Sequence, residues 1–249
     1  MGDRTSIEWC EATWSPVTGC SRVSEGCAHC YAERMARRLG GRFGYPPAPH
    51  HFDVVVHDDK LYEPTKWAHP RTVFVVSMGD LFHEDVPYSA WETIWRNMTL
   101  YAARHTYLLL TKRPEIMVRR MRDMVELTGE FTGNIWLGVT AENQGRAEER
   151  IPPLIRYSSS RNFVSCEPLL GPIDLTPWLF ALGWVIVGGE TGPGARPMDP
   201  GWARSIRDQC IKASVPFFFK RHGNGHNRLL DGRLWEQYPE GADAPAEAA

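Results

Sequence analysis

An α/β fold with parallel strands, a partial or full (β/α) barrel, is what this sequence predicts. Apolar, β-branched runs of strand length recur along 249 residues, and helical stripes fall between them. One strand end after another also carries polar and charged residues.

The clear runs are residues 73–78, 106–111, 135–140, 162–166, 184–187 and 216–220, with weaker candidates at 7–9 and 52–56. Their nearly continuous hydrophobicity fits strands covered on both faces. Between them, Ala28, Tyr31, Ala32, Met35 and Leu39 form a first helical stripe, and Trp91, Ile94, Trp95, Met98 and Tyr101 a second. Ser89 and Glu92 give the second a capping-box start. Met117, Met121, Met124 and Val125 suggest a third. Asp199 before Pro200 starts a fourth, with Trp202, Ile206, Cys210 and Ala213 on one face. These Met and Trp residues read as core.

A mass of 28.3 kDa with 43% hydrophobic residues supports a sizeable core. With no linker or repeat, one domain over 1–238 is expected, followed by a small acidic, disordered tail at 239–249. The net charge of −2 gives no bulk drive toward nucleic acid, and Arg34, Arg37, Arg38 and Arg119, Arg120, Arg122 read as solvated helix faces. The first residues lack the apolar core of a signal peptide, and no apolar run spans a bilayer. A cytoplasmic protein without a membrane partner is expected, in which clustered thiols read as a metal site before disulfides.

The strand ends are where chemistry gathers. They place Asp80, Lys112, Arg113, Glu142, Glu167, Glu190 and Lys220 at the carboxyl ends of successive strands. In a (β/α) barrel those ends converge on the active-site face. Mixed signs suggest a polar or zwitterionic ligand, with Gly188 and Gly189 admitting close backbone approach.

Three of the six cysteines, Cys20, Cys27 and Cys30, fall within eleven residues. Cys27 and Cys30 have the spacing that puts two sulfurs on one ion or cluster, and Gly19 and Gly26 lend the loop flexibility. Three thiolates leave one iron of a four-iron cluster open. A closed zinc site needs a fourth ligand, for which Cys10, His29, His50, His51 and His83 are candidates. Cys210 reads as a buried helix residue, and Cys166 as a strand-end residue facing the polar side.

The chain resembles the phage-associated three-cysteine-motif proteins of phages and bacteria. The resemblance rests on Ser6-Ile7-Glu8-Trp9, Ala12-Thr13-Trp14-Ser15-Pro16-Val17-Thr18-Gly19-Cys20 and Gly26-Cys27-Ala28-His29-Cys30-Tyr31-Ala32-Glu33, and continues through 77–86, 110–114, 166–175, 188–197 and 216–220. That family is similar to radical S-adenosylmethionine enzymes, which carry a three-cysteine loop after the first strand of a partial (β/α) barrel. The resemblance implies that Cys20, Cys27 and Cys30 hold a [4Fe–4S] cluster whose open iron binds S-adenosylmethionine, cleaved on reduction to a radical that abstracts hydrogen from a substrate.

Two departures from the radical-enzyme pattern stand out: six residues, not three, separate the first two cysteines, and Gly188-Gly189-Glu190 lies on a late strand. Ser77 and Asp80 are therefore assigned to the methionine amino group, and Arg113, Thr140, Glu142, Gly188 and Gly189 to further cofactor contacts. Lys112, Glu167 and Glu190 are the candidate catalytic residues. The substrate is unidentified, with nucleic acid modification or repair in view. The alternative is a non-catalytic module binding nucleic acid or protein, including a three-Cys-motif partner protein, with a structural iron–sulfur or zinc site.

Overall fold

The computed structural model describes residues 5–129, 133–157, 161–225 and 227–242. The strands are β1 (Ala12–Trp14), β2 (Val17–Thr18), β3 (Val55–Val56), β4 (Thr72–Val75), β5 (Thr106–Thr111), β6 (Ile135–Thr140), β7 (Asn162–Cys166), β8 (Trp184–Gly188), β9 (Phe217–Arg221), β10 (Leu229–Leu230) and β11 (Arg233–Leu234). The α-helices are α1 (Tyr31–Leu39), α2 (Tyr88–Arg96), α3 (Pro114–Thr128), α4 (Gln144–Tyr157) and α5 (Pro200–Ala213).

Seven strands make one parallel sheet in the order β1-β4-β5-β6-β7-β8-β9. The order never reverses, so the sheet is wound in one direction, unlike a doubly wound fold with its switch point. Its edges are β1 and β9, and among the described residues no pairing joins them. Strands β2 and β3 form a separate antiparallel pair, as do β10 and β11.

Contacts divide the chain into two compact units, one holding residues 5–22 and Cys30–Trp136, the other Val23–His29 and residues 137–242. In the first, β5 is the apolar run Thr106–Thr111, with Tyr107, Leu108 and Leu109 at most 1% exposed. Trp91, Ile94, Trp95 and Met98 are fully buried, as their stripe predicts. In the second, every residue of β7 and β8 is buried. Gly138 on β6 lies opposite Phe163 on β7, where a Cβ would come within 2.4 Å of the Phe163 ring. Glycine there makes room for the aromatic side chain.

Several expectations are corrected. Residues 7–9 form a turn closed by Cys10 N–H on the Ile7 carbonyl (3.3 Å), and the first strand starts at Ala12. Trp9 is buried as a loop residue, its ring 4.7 Å from that of Phe74. The 73–78 run stops at Val75 because Val76 takes a positive φ of 59°. The 52–56 run shrinks to β3, because the Phe52 carbonyl accepts from Cys20 N–H instead (3.0 Å).

Helix α2 starts one residue before Ser89, with Pro87 as its cap, and Glu92 pairs with Arg96 (2.8 Å) rather than reaching back. A π-helical turn over Asn97–Tyr101 follows. Its wider turn rotates the stripe, leaving Tyr101 56% exposed.

Helix α4, which carries Pro152 and Pro153 inside it, has no counterpart in the sequence expectations. It is started by Asn143, whose Oδ1 accepts from Arg146 N–H (3.1 Å). Asp199 caps α5 as expected, accepting from Gly201 N–H (2.7 Å). Of the expected tail, Pro239 and Ala242 are buried, and residues 243–249 lie outside the described residues. No described helix is long and apolar enough to cross a membrane.

Candidate functional site

In the first unit, β2 leads into Gly19 and Cys20. Gly19 N–H donates to the Met78 carbonyl (3.0 Å), and Gly19 bridges Gly79 in parallel. A Cβ on Gly19, at φ +91°, would lie 2.1 Å from the Asp53 carbonyl oxygen. One on Gly79 would lie 2.5 Å from the Gly19 carbonyl oxygen. Only glycine permits this backbone contact. The residue after each glycine, Cys20 and Asp80, then meets the same nitrogen of Arg113.

Arg113 organises this region. Its Nη1 donates to Asp80 Oδ2 and Cys20 Sγ, both at 3.3 Å. Its Nη2 donates to the Ser21 carbonyl (3.1 Å) and Ser21 Oγ (2.8 Å), and its Nε to Glu84 Oε2 (3.1 Å). Each of its five N–H groups thereby has an acceptor, on a side chain only 6% exposed. Burial pulls the guanidinium pKa down, but Cys20, Asp80 and Glu84 more than offset this and raise it. Asp80 also accepts from Phe82 N–H (2.9 Å), Thr111 Oγ1 (2.8 Å) and Lys112 N–H (3.3 Å). Its acceptor sites are thus filled by the protein.

His83 completes the network. Its Nδ1 accepts from Asp85 N–H (3.1 Å), so Nε2 carries the proton and donates to Ser21 Oγ (2.8 Å). Burial first, and Arg113 second, lower its pKa. Arg120, also buried, donates to the His83 (3.2 Å) and Val86 (2.6 Å) carbonyls and pins this loop.

In the second unit, Ser24 Oγ donates to Glu142 Oε1 (2.6 Å), while Arg150 Nη1 donates to Glu142 Oε2 (2.8 Å) and the Thr140 carbonyl (2.9 Å). Both charged side chains are fully buried. Gly26 approaches so closely that a Cβ would lie 2.2 Å from Glu142 Oε1. The Glu25 carboxylate takes Arg146 (2.9 Å) and Asn143, and the Arg146 hydrogen bonds hold its pKa at about 2. Arg196 donates to the Glu25 carbonyl (3.0 Å) and to Glu190 Oε2 (2.9 Å). Cys27 Sγ lies 3.8 Å from Ser24 Oγ.

A last strand-end pair, Glu167–Lys220 (2.6 Å), keeps side-chain exposures of 22% and 18%. Gly188 adjoins it, and a Cβ there would sit 3.4 Å from both side chains. At Gly189 a Cβ would lie 2.1 Å from the His222 carbonyl oxygen, so the neighbouring backbone requires this glycine.

A family described as a protein of unknown function, DUF5131, matches residues 4–239. The chain belongs to the DUF5131 family. No curated protein and no solved structure matches it.

In this DUF5131 member, Asp80, Arg113, Glu142, Glu167, Glu190 and Lys220 form ion pairs within their own units. Asp80 orients Arg113, and Glu190 orients Arg196. Glu142 and Thr140 hold Arg150 and, through Glu142, Ser24. Ser77 lies 3.3 Å from Ser15 Oγ, and Lys112 contributes its backbone N–H to Asp80. None of the six cysteines is in a disulfide. Cys20, Cys27 and Cys30 are partly exposed, whereas Cys10, Cys166 and Cys210 are buried. Burial pushes the Cys210 thiol up to about 12, and the Cys166 thiol higher still.

Among the described residues, no three His, Cys, Asp or Glu side chains are gathered to hold one metal ion. What the loop offers is its donor type and spacing. Of the zinc candidates, His83 has both ring nitrogens occupied, and His50 pairs with Asp53 (2.8 Å). Sequence reasoning missed Ser21, Ser24, Glu25, Arg146, Arg150 and Arg196. Their signal was the polar residues Ser21, Ser24 and Glu25 between the first two cysteines and an arginine eight residues after Glu142.

Burial lowers the pKa values of His57, His83 and His105. Below an unfolded value of about 6.5 the unfolded chain binds more protons than the folded one, so stability is full above that pH and falls as pH drops through it. Glu25 has the carboxylate pattern, its contribution present above 4.5 and lost as pH falls toward about 2. Calorimetry should show Tm falling from pH 7.5 to 5.5, less steeply in His83→Gln. A flat Tm over that window would contradict the burial of these rings.

Proposed function

We propose that this chain is an iron–sulfur protein of radical S-adenosylmethionine type, with Cys20, Cys27 and Cys30 as ligands of a [4Fe–4S] cluster. One observation carries the reading. A buried, fully hydrogen-bonded guanidinium, that of Arg113, directs one N–H at Cys20 Sγ. A cation so placed suits a sulfur that bears negative charge. The donor type suits it: three partly exposed thiols outside any disulfide, soft ligands of the kind iron–sulfur clusters take. Support also comes from the winding of the sheet and from the cysteine loop following the first strands, as in the enzymes the sequence resembles.

A cluster of this kind, reduced by an external low-potential donor, supplies the electron that splits the sulfonium bond of S-adenosylmethionine. The protein's own part is positional. Arg113 and Asp80 fix Cys20 and Ser21, while Glu142, Arg146 and Arg196 fix the segment from Ser24 to Cys27. The partly exposed Glu167–Lys220 pair is the candidate contact for substrate, able to hold a proton at Nζ or accept one at Oε1.

A second reading, a binding module with a structural iron–sulfur or zinc site, is favoured by the saturation of Asp80 and the burial of Glu142. Purification without oxygen separates the two. The enzyme reading expects about four irons per chain, a brown colour, and S-adenosylmethionine cleavage on reduction. Single Cys→Ser changes at Cys20, Cys27 or Cys30 should remove iron and colour, whereas Cys210→Ser should retain them. One zinc per chain with no iron would sink the enzyme reading, and iron without cleavage would favour the binding module.

A further inference from the structure

We infer that the end of α1 and the turn after it form a surface for single-stranded nucleic acid, with Phe43 as its base-stacking platform. Phe43 is 72% exposed. Its backbone has φ +53°, and Gly44 next to it has φ +82°. Tyr45 N–H donates to the Arg42 carbonyl (2.9 Å), so Phe43 and Gly44 are the two central residues of a tight turn. A turn with positive φ at both centres favours Asn, Asp or Gly, and a bulky aromatic is disfavoured there.

Folding therefore gains nothing from this side chain: it buries little surface and takes an unfavourable backbone. The turn itself is well held. Gly41 N–H donates to the Tyr45 carbonyl (3.0 Å), Arg42 N–H to the Leu39 carbonyl (2.8 Å), and Tyr45 is only 3% exposed. The aromatic ring is thus presented to solvent on a fixed support.

Its surroundings select the partner. Residues 34–52 carry four arginines and no acidic residue, in a chain whose net charge is −2. Arg38 and Arg42 are exposed, and the Arg37 side chain is 67% exposed, 3.8 Å from Glu33. Arginines beside an exposed aromatic ring are what a flexible polyanion with stackable bases requires. A duplex would hide its base faces from Phe43, so the single strand fits. The inference stands apart from the cluster, because it uses none of the cysteine-loop residues.

The test is fluorescence anisotropy of a labelled oligothymidylate of about 15 nucleotides, titrated across about 50 to 200 mM salt. Wild-type protein should bind at low salt. Phe43→Leu should weaken binding about 10-fold or more with an unchanged salt slope, and Phe43→Trp should preserve it. Arg42→Ala should flatten the slope by about 0.7. Melting curves of the Phe43 variants should match wild type, since the side chain is solvent-facing. Binding of Phe43→Leu equal to wild type would overturn the inference. So would equal affinity for a duplex of the same length, preferential binding of polyglutamate, or no binding at low salt.

Discussion

Arg150→Met should destabilise the protein by about 3–5 kcal/mol, the cost of leaving a buried carboxylate without its cation. The side chains of Arg150 and Glu142 are both fully buried and 2.8 Å apart. With the guanidinium gone, Glu142 retains the Ser24 hydroxyl and must take up a proton or admit water. For a chain of this size the loss corresponds to a Tm fall of about 10 °C. The double variant Glu142→Leu with Arg150→Met removes both charges and should recover most of that loss, because apolar side chains replace a desolvated pair well. Ser24 then loses its acceptor, so Cys27 alkylation should quicken in the double variant although its Tm is near normal. A single-variant loss under about 1 kcal/mol would mean that the pair is hydrated.

Arg113→Met should cost a similar amount, about 3–5 kcal/mol, by stranding Asp80 in an interior where that carboxylate is 7% exposed. It should also act on the cysteine loop, since Arg113 holds Cys20 Sγ, the Ser21 carbonyl and Ser21 Oγ. Alkylation of Cys20 in the metal-free protein is expected to quicken, and iron uptake on reconstitution to fall. Arg113→Lys separates charge from shape. Three donors on a single nitrogen cannot serve acceptors arranged around a planar fork. Lysine should therefore restore part of the Tm while leaving Cys20 alkylation fast. If lysine restored both, Arg113 would act only as a charge.

Both experiments address one architectural point. Several of the strand-end charges also clamp the cysteine loop. Asp80 and Arg113 hold Cys20 and Ser21, and Glu142 holds Ser24. Glu190 holds Arg196, which grips the Glu25 backbone. The Gly-Gly-Glu triplet thus has a structural use in this chain. The pair Glu167–Lys220, like Lys112, keeps a share of solvent at a strand end.

Strands β5, β6 and β7 were legible to the residue, because apolar runs covered on both faces tolerate no other assignment. Helix α4 was not, since Pro152 and Pro153 read locally as breakers while its buried Arg150 and Ile151 are paid for by tertiary contacts. The cysteine spacing and the succession of charged strand ends were visible in one dimension. Their partners were not, because Arg113 reaches Cys20 across 93 residues and Ser24 reaches Glu142 across 118.

By itself, then, the sequence determined the alternation of strands and helices, the three-thiol loop and its place after the first strands. Those follow from local periodicity and from donor chemistry, which neighbouring residues decide. Only the tertiary structure decided the order of the strands, that Gly19 and Gly79 touch, and which carboxylate holds which arginine. Desolvation is the reason: a charge removed from water must find its partner in space, and chain order does not say where that partner lies.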